Sequence, residues 1–190
     1  ADFNKINWRQ HLPSNCIYKI VANIPYHVTG LIFRNIFQVG QTLPQCAVLM
    51  IQYEVAKKIV PDEHNLSILS NLITSYGQPK IVCRVSKNSF RPIPQVDSAI
   101  LAIDNIQVPD FTDFEDYFRL VKIGFSSRRK TILNNLSAGL KLPKEQVKEI
   151  LAAANLDSDR RAQTISQSEW KKLYYTIEKE SNSKTQILNK

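Results

Sequence analysis

Asn23-Ile24-Pro25-Tyr26 follows directly on the apolar run Ile17 to Ala22. A buried strand ending in an amide, an apolar residue, a proline and an aromatic ring brings these groups to the carboxyl edge of a sheet. Open α/β sheets bind ligands at that edge. The set suits a flat base carrying an exocyclic amino group. The Asn23 side-chain oxygen and a backbone carbonyl, of Ile24 or Pro25, can accept from the amine, and the Tyr26 ring can stack on the base. Pro25 fixes φ and removes a competing donor. The same four residues also fit an ordinary turn after a strand.

A second aromatic opens Phe90-Arg91-Pro92-Ile93-Pro94-Gln95-Val96-Asp97-Ser98-Ala99, which leads into another apolar strand. Phe90 reads as the other stacking face for the base, or as a core aromatic at a strand end. A sandwich between Tyr26 and Phe90 needs the base swung out of its helix, at a cost of about a few kcal/mol. Asp97, where that strand opens, suits a structural role as well as a catalytic one. Farther on, Phe125-Ser126-Ser127-Arg128-Arg129-Lys130-Thr131 sets three cations side by side. They cannot all point one way, so two are expected on phosphates and one in an internal pair. Solvation of a helix start is the alternative.

Charge is segregated. Residues 1–118 hold ten Lys/Arg and ten Asp/Glu, whereas residues 119–190 hold fifteen and seven, so the whole excess of +8 lies in the later part. A module that docks on phosphates shows this pattern; a solvated helical surface is the other reading. Cys16, Cys46 and Cys83 lack metal-ligand spacing and read as buried free thiols. His11, His27 and His64 suggest no ligand set, so no metal is expected. No run of 18 apolar residues exists, and Ala1 to Lys5 carries no secretory signal.

The elements that must position these groups follow from periodicity. Ile17 to Ala22 reads as a buried strand, Val28 to Phe37 as an amphipathic helix, and Cys46 to Ile51 as a second strand. Tyr53 to Val60 and Leu66 to Tyr76 are helical by period. Lys80 to Val85 and Val96 to Ile103 form a strand pair. After Pro109 the pattern is purely helical. A capping box at Thr112-Asp113-Phe114-Glu115 opens a helix to about Phe125. Thr131 to Leu140 continues as helix and stops near the breakers Gly139 and Pro143, with Pro143 in the first turn of Lys144 to Ala154. A second box at Ser166-Gln167-Ser168-Glu169 precedes Trp170 to Glu180, and the tail frays from Ser181. Two domains result: an α/β part over 1–108 and a basic all-helical part over 109–190.

Taken in order, the Asn23, Phe90 and Arg128 segments, with Arg161-Ala162-Gln163-Thr164-Ile165-Ser166, resemble the KsgA-type dimethyladenosine rRNA methyltransferases from Asp2 to about Leu173. The resemblance implies the C-terminal half of a Rossmann-like methyltransferase domain followed by a small all-helical domain. It implies S-adenosyl-L-methionine as cofactor, with Asp2 on its adenine amino group and Asn23 beside it. Asn23, Ile24, Pro25, Tyr26 and Phe90 become the catalytic set. Arg128, Arg129 and Lys130 become RNA contacts, and Arg161 serves packing between helices. The implied reaction is dimethylation of N6 of two adjacent adenosines near the 3′ end of small-subunit rRNA, on the pre-30S particle in the cytoplasm, with no metal and no membrane.

Two other readings compete. The related Erm-type resistance methylases act on large-subunit rRNA, but the Arg128 to Thr131 and Arg161 to Ser166 segments resemble the small-subunit branch. A non-catalytic rRNA-binding assembly factor would keep the basic helices alone. The five glycines form no Gly-x-Gly, and the family's first strands, glycine loop and ribose-binding acid are not expected among these 190 residues. The 190-residue chain is therefore expected to bind S-adenosylmethionine weakly or not at all. It is also expected to self-associate through the open edge of its first strand.

Overall fold

Alternation of buried and half-buried residues makes Cys46–Gln52 a strand, and its pairing decides the architecture. In the computed structural model, which describes residues 12–13, 16–38, 42–60 and 66–184, strand β1 (Lys19–Asn23) pairs parallel to β2 (Cys46–Gln52). Parallel neighbours need a crossover, and helix α1 (Thr29–Ile36) lies in it. Helices α2 (Tyr53–Ile59) and α3 (Ile68–Tyr76) lead to β3 (Gln78–Val85) and β4 (Ser98–Asp104). The sheet order is β1-β2-β4-β3, and β4 is antiparallel to both neighbours. Strand β3 therefore runs in the same sense as β1 and β2. Three carboxyl ends and the start of β4 share one edge, so the β3–β4 loop with Phe90 returns to where β1 ends.

One sheet face forms the core of this unit. Ala47, Leu49 and Ile51 sit opposite Ile103, Leu101 and Ala99, and all six are fully buried. Ile32, Phe33 and Ile36 of α1 and Ile59 of α2 are buried as well, and Tyr76 stacks on Phe37 with ring centroids 4.8 Å apart. The apolar run Ile17 to Ala22 has the open edge expected of it in these residues: β1 is paired only with β2 among the described residues, and Ile17 is 83% and Val21 81% exposed. The cysteines differ from expectation: Cys83 is exposed on edge strand β3, and Cys16 and Cys46 are only half-buried.

The chain divides into two compact units, not at a single boundary near 108 as expected: residues 1–60 and 72–109 form the first, and the stretch 61–71, which includes the start of α3, belongs with residues 110–190 in the second. The second unit contains α4 (Phe114–Gly124), α5 (Ile132–Leu140), α6 (Lys144–Ala153) and α7 (Gln167–Lys184). Tyr117, Leu120, Ile132, Leu136, Ile150, Trp170 and Leu173 fill its core. The α4 cap is Asp113, whose carboxylate accepts from the Asp116 N–H at 3.0 Å, and not the expected Thr112. Thr112 instead donates its hydroxyl to Glu178 at 3.4 Å, while the Asp113 N–H goes to the Tyr174 hydroxyl at 3.1 Å. The box at Ser166 is reciprocal: the Ser166 N–H donates to Glu169 at 2.7 Å and the Glu169 N–H to Ser166 Oγ at 3.3 Å. Helix α7 continues to Lys184, past the fraying expected from Ser181. Among the described residues no helix is long and apolar enough to cross a membrane.

Gly139 does not end α5. The helix passes through it and stops at Lys141, which takes the left-handed conformation with φ 56°. Gly139 is small because α5 packs closely on α4: a Cβ there would lie 2.2 Å from Ile123 Cγ2. Pro143 stands at the N-cap of α6, one position before its first turn. Gly124 has the same character as Gly139, since an added Cβ would meet the Trp170 ring at 2.2 Å. Trp170 is fully buried and cannot yield. Gly124→Ala is therefore expected to lower unfolding free energy by about 1–3 kcal/mol through overpacking, read as an earlier midpoint in urea. An unchanged midpoint would mean that the core relaxes freely there.

Candidate active site and nucleic-acid interface

Asn23 is the last residue of β1, and Pro25, with φ −61° and ψ 134°, turns the chain into a 3₁₀ turn over Tyr26–Val28. The Val28 N–H donates to the Pro25 carbonyl at 3.2 Å, and Thr29 Oγ1 donates to the Tyr26 carbonyl at 3.0 Å. These bonds fix the backbone of the turn that carries the half-buried Tyr26. Its hydroxyl lies 2.6 Å from Ser98 Oγ. The exposed Asn23 amide has no hydrogen-bond partner among the described residues.

Further lining comes from the β3–β4 loop. A 3₁₀ turn over Lys87–Ser89 is capped by Ser86 and delivers Phe90, whose N–H donates to the Lys87 carbonyl at 3.3 Å. Asn23, Ile24, Pro25, Tyr26 and Phe90 line one cavity of about 370 Å³. Small-molecule sites occupy about 300–1,000 Å³. Sequence reasoning on the separate segments missed Met50, Arg91, Pro92 and Pro94 as further lining residues. Met50 enters as the register partner of Asn23 on β2, a pairing that no local signal in the chain carries. Asp2 lies outside the described residues.

Asp97 accepts from the Lys87 N–H and from Arg84 Nε, both at 2.9 Å, and also from Arg84 Nη2. The Lys87 amide, then the Arg84 guanidinium, hold its carboxyl below the usual carboxylate range. It closes the base of the loop and does not line the cavity.

In the helical unit Arg128, Arg129 and Lys130 are exposed on the α4–α5 connection, and none is ion-paired among the described residues. The expected internal pair is not found. A residue missed from the sequence holds this loop: buried Asn135 donates to the carbonyls of Gly124 at 2.6 Å and Ser127 at 3.0 Å. The signal was a polar residue between Leu133 and Leu136 on the apolar face of α5.

Arg160, and not the exposed Arg161, does the packing. It is half-buried, reaches Glu169 through Nη1 at 2.5 Å and Nη2 at 3.1 Å, and donates to the Thr164 carbonyl. Its carbonyl also receives the Ile132 N–H at 2.7 Å. The Arg160 hydrogen bonds, with those from Ser166, pull Glu169 from 4.5 down to about 2. A carboxylate depressed on folding stabilises above its unfolded value, and that stability is lost as pH falls through the folded one. Wild-type melting temperature is thus expected to fall more steeply than that of Glu169→Gln between about pH 4.5 and 2. Parallel curves would show the pair to be energetically silent.

This mixed α/β arrangement is that of solved rRNA methyltransferases. A dimethyladenosine transferase from Plasmodium falciparum matches with a TM-score of 0.73 at 25% identity, covering 90% of this chain and 69% of that one. The 23S rRNA methyltransferase ErmE matches in fold, with a TM-score of 0.69 at 23% identity over 94% of this chain and 70% of that one. Residues 2–173 match the Ribosomal RNA adenine dimethylase family model, and the chain belongs to that family. Ribosomal RNA small subunit methyltransferase A of Dehalococcoides mccartyi (strain ATCC BAA-2100 / JCM 16839 / KCTC 5957 / BAV1) is 39% identical over 178 residues, covering 91% of this chain and 60% of that protein. The protein of the same name from Mycoplasmopsis pulmonis (strain UAB CTIP) is 38% identical over 176 residues, covering 92% and 69%. The chain spans 60% of the length of the Dehalococcoides relative it matches.

Proposed function

We propose that this chain, together with the cofactor-binding half of the family's methyltransferase domain, dimethylates N6 of two adjacent adenosines near the 3′ end of small-subunit rRNA, with S-adenosyl-L-methionine as methyl source. The observation that carries the reading is the convergence of Asn23, Ile24, Pro25, Tyr26 and Phe90 on one cavity at the sheet edge. The adenine amine is a poor nucleophile because its lone pair is delocalised into the ring. Asn23 Oδ1 and one backbone carbonyl accept its two N–H bonds, so the nitrogen pyramidalises and its lone pair turns outward. The Pro25 carbonyl is already engaged by Val28, which favours Ile24 as the second acceptor. Tyr26 and Phe90 hold the ring from its two faces. Positioning and electrostatic stabilisation then carry the rate.

Asn23, polar and exposed at the end of β1, fits a place beside the methyl donor; Asp2 is the other residue the family resemblance points to. When bound, the cofactor supplies an electrophilic methyl on a sulfonium. Arg128, Arg129 and Lys130 dock rRNA phosphates, a role supported by their exposure and lack of ion pairs. The test is incubation of the full-length protein with unmodified small ribosomal subunits and labelled S-adenosylmethionine, followed by nucleoside analysis. N6,N6-dimethyladenosine in small-subunit rRNA is expected. Label confined to large-subunit rRNA, or none at all, would overturn the reading.

A further inference from the structure

Two neighbouring residues with no part in that chemistry, Asp97 and Ser98, hold both aromatic walls of the cavity. Ser98 begins β4 and is fully buried, with Gln52 and Val85 as register partners on the strands at either side. Strand β4 is paired along both edges, so its first residue is a rigid anchor. Ser98 Oγ meets the Tyr26 hydroxyl at 2.6 Å, with β2 standing between β1 and β4 in the sheet. Stacking needs only the ring, so this bond serves to place it.

The preceding residue secures the other wall. Asp97 takes the Lys87 N–H on Oδ1 and the Arg84 guanidinium on Oδ2, while its own carbonyl accepts from the Tyr53 N–H at 3.0 Å. Arg84 lies over the Tyr53 ring, 4.7 Å from its centroid. The bonds run on from Lys87 to Phe90. Asp97 thus ties the end of β3, the turn before Phe90 and the start of α2 to one point, one residue from the anchor of Tyr26.

We propose that the Asp97–Ser98 pair sets the gap between the Tyr26 and Phe90 rings, making both positioning residues for the base. This rests on the reading of the cavity as the adenine site. A misplacement of about 1 Å can cost on the order of a hundredfold in rate, so the gap matters although neither residue touches the base.

The experiment compares Asp97→Asn, Ser98→Ala, Tyr26→Phe and Phe90→Ala for methylation rate at saturating small subunits, RNA affinity and amide hydrogen exchange. Asp97→Asn and Ser98→Ala are each expected to slow turnover by about tenfold or more while RNA affinity stays within about twofold. Asp97→Asn should speed exchange at Lys87 and Phe90 and leave Leu101 protected. Tyr26→Phe should match Ser98→Ala, and combining them should add nothing further, because both remove one bond. Where Asp97→Asn fails to fold, Arg84→Lys tests the same clasp with the charge retained. Wild-type turnover in folded Asp97→Asn (or Arg84→Lys) and Ser98→Ala, beside a slow Phe90→Ala, would overturn the positioning proposal alone. Wild-type turnover in Phe90→Ala would instead reject the adenine-site reading.

Discussion

Alanine at Asn23 of the full-length protein is expected to cut methyl transfer to adenine by about a hundredfold or more, in line with the loss of one preorganised polar group at a reacting centre. Asn23 is exposed at the end of an edge strand, and its side-chain amide has no hydrogen-bond partner among the described residues. Its truncation should therefore leave stability within about 0.5 kcal/mol of wild type. RNA affinity should also hold, since every cation is kept. The effect then falls on turnover at saturating RNA, as it must for an interaction made with the amine while it reacts. Labelled-methyl incorporation into small subunits measures it directly. Activity within about threefold of wild type would remove Asn23 from the chemistry and reduce Asn23 to Tyr26 to the ordinary turn its sequence also allows.

Replacing Arg128, Arg129 and Lys130 together by alanine is expected to weaken RNA binding regardless of sequence. The plot of log affinity against log salt should flatten by about 0.7–0.9 for each phosphate left without its cation, or roughly two to three in all. The fold should survive, because Asn135 secures the loop through its backbone and the three side chains form no ion pairs among the described residues. Titrations at several salt concentrations, with melting curves as control, make the measurement. An unchanged slope would assign the three charges to surface solvation.

The site was partly legible because half of it is covalently contiguous. Asn23 to Tyr26 needs only a strand end and a proline to come together, and local periodicity placed most strands and helices within a few residues. Local signals failed where two candidates lay side by side. Thr112 and Asp113 are both good caps, and side chains on α7 decide between them: Glu178 takes the Thr112 hydroxyl and Tyr174 the Asp113 N–H. Gly139 read as a breaker because periodicity is blind to the close approach of Ile123. Asp97 was ambiguous for a similar reason, since its partners Arg84 and Lys87 lie on the far side of a loop.

By itself the sequence determined the α/β-then-helical order, the strand-ending Asn-Ile-Pro-Tyr and the concentration of positive charge after residue 118, all properties of near neighbours in the chain. Only the tertiary structure decided that Phe90 faces a cavity shared with Tyr26, 64 positions earlier. The cause is the insertion of β4 between β2 and β3, which sends the Phe90 loop back to the edge where β1 ends. Strand order is a choice among distant partners, made by how Leu101, Ile103 and Ala99 pack beside Leu49, Ala47 and Ile51.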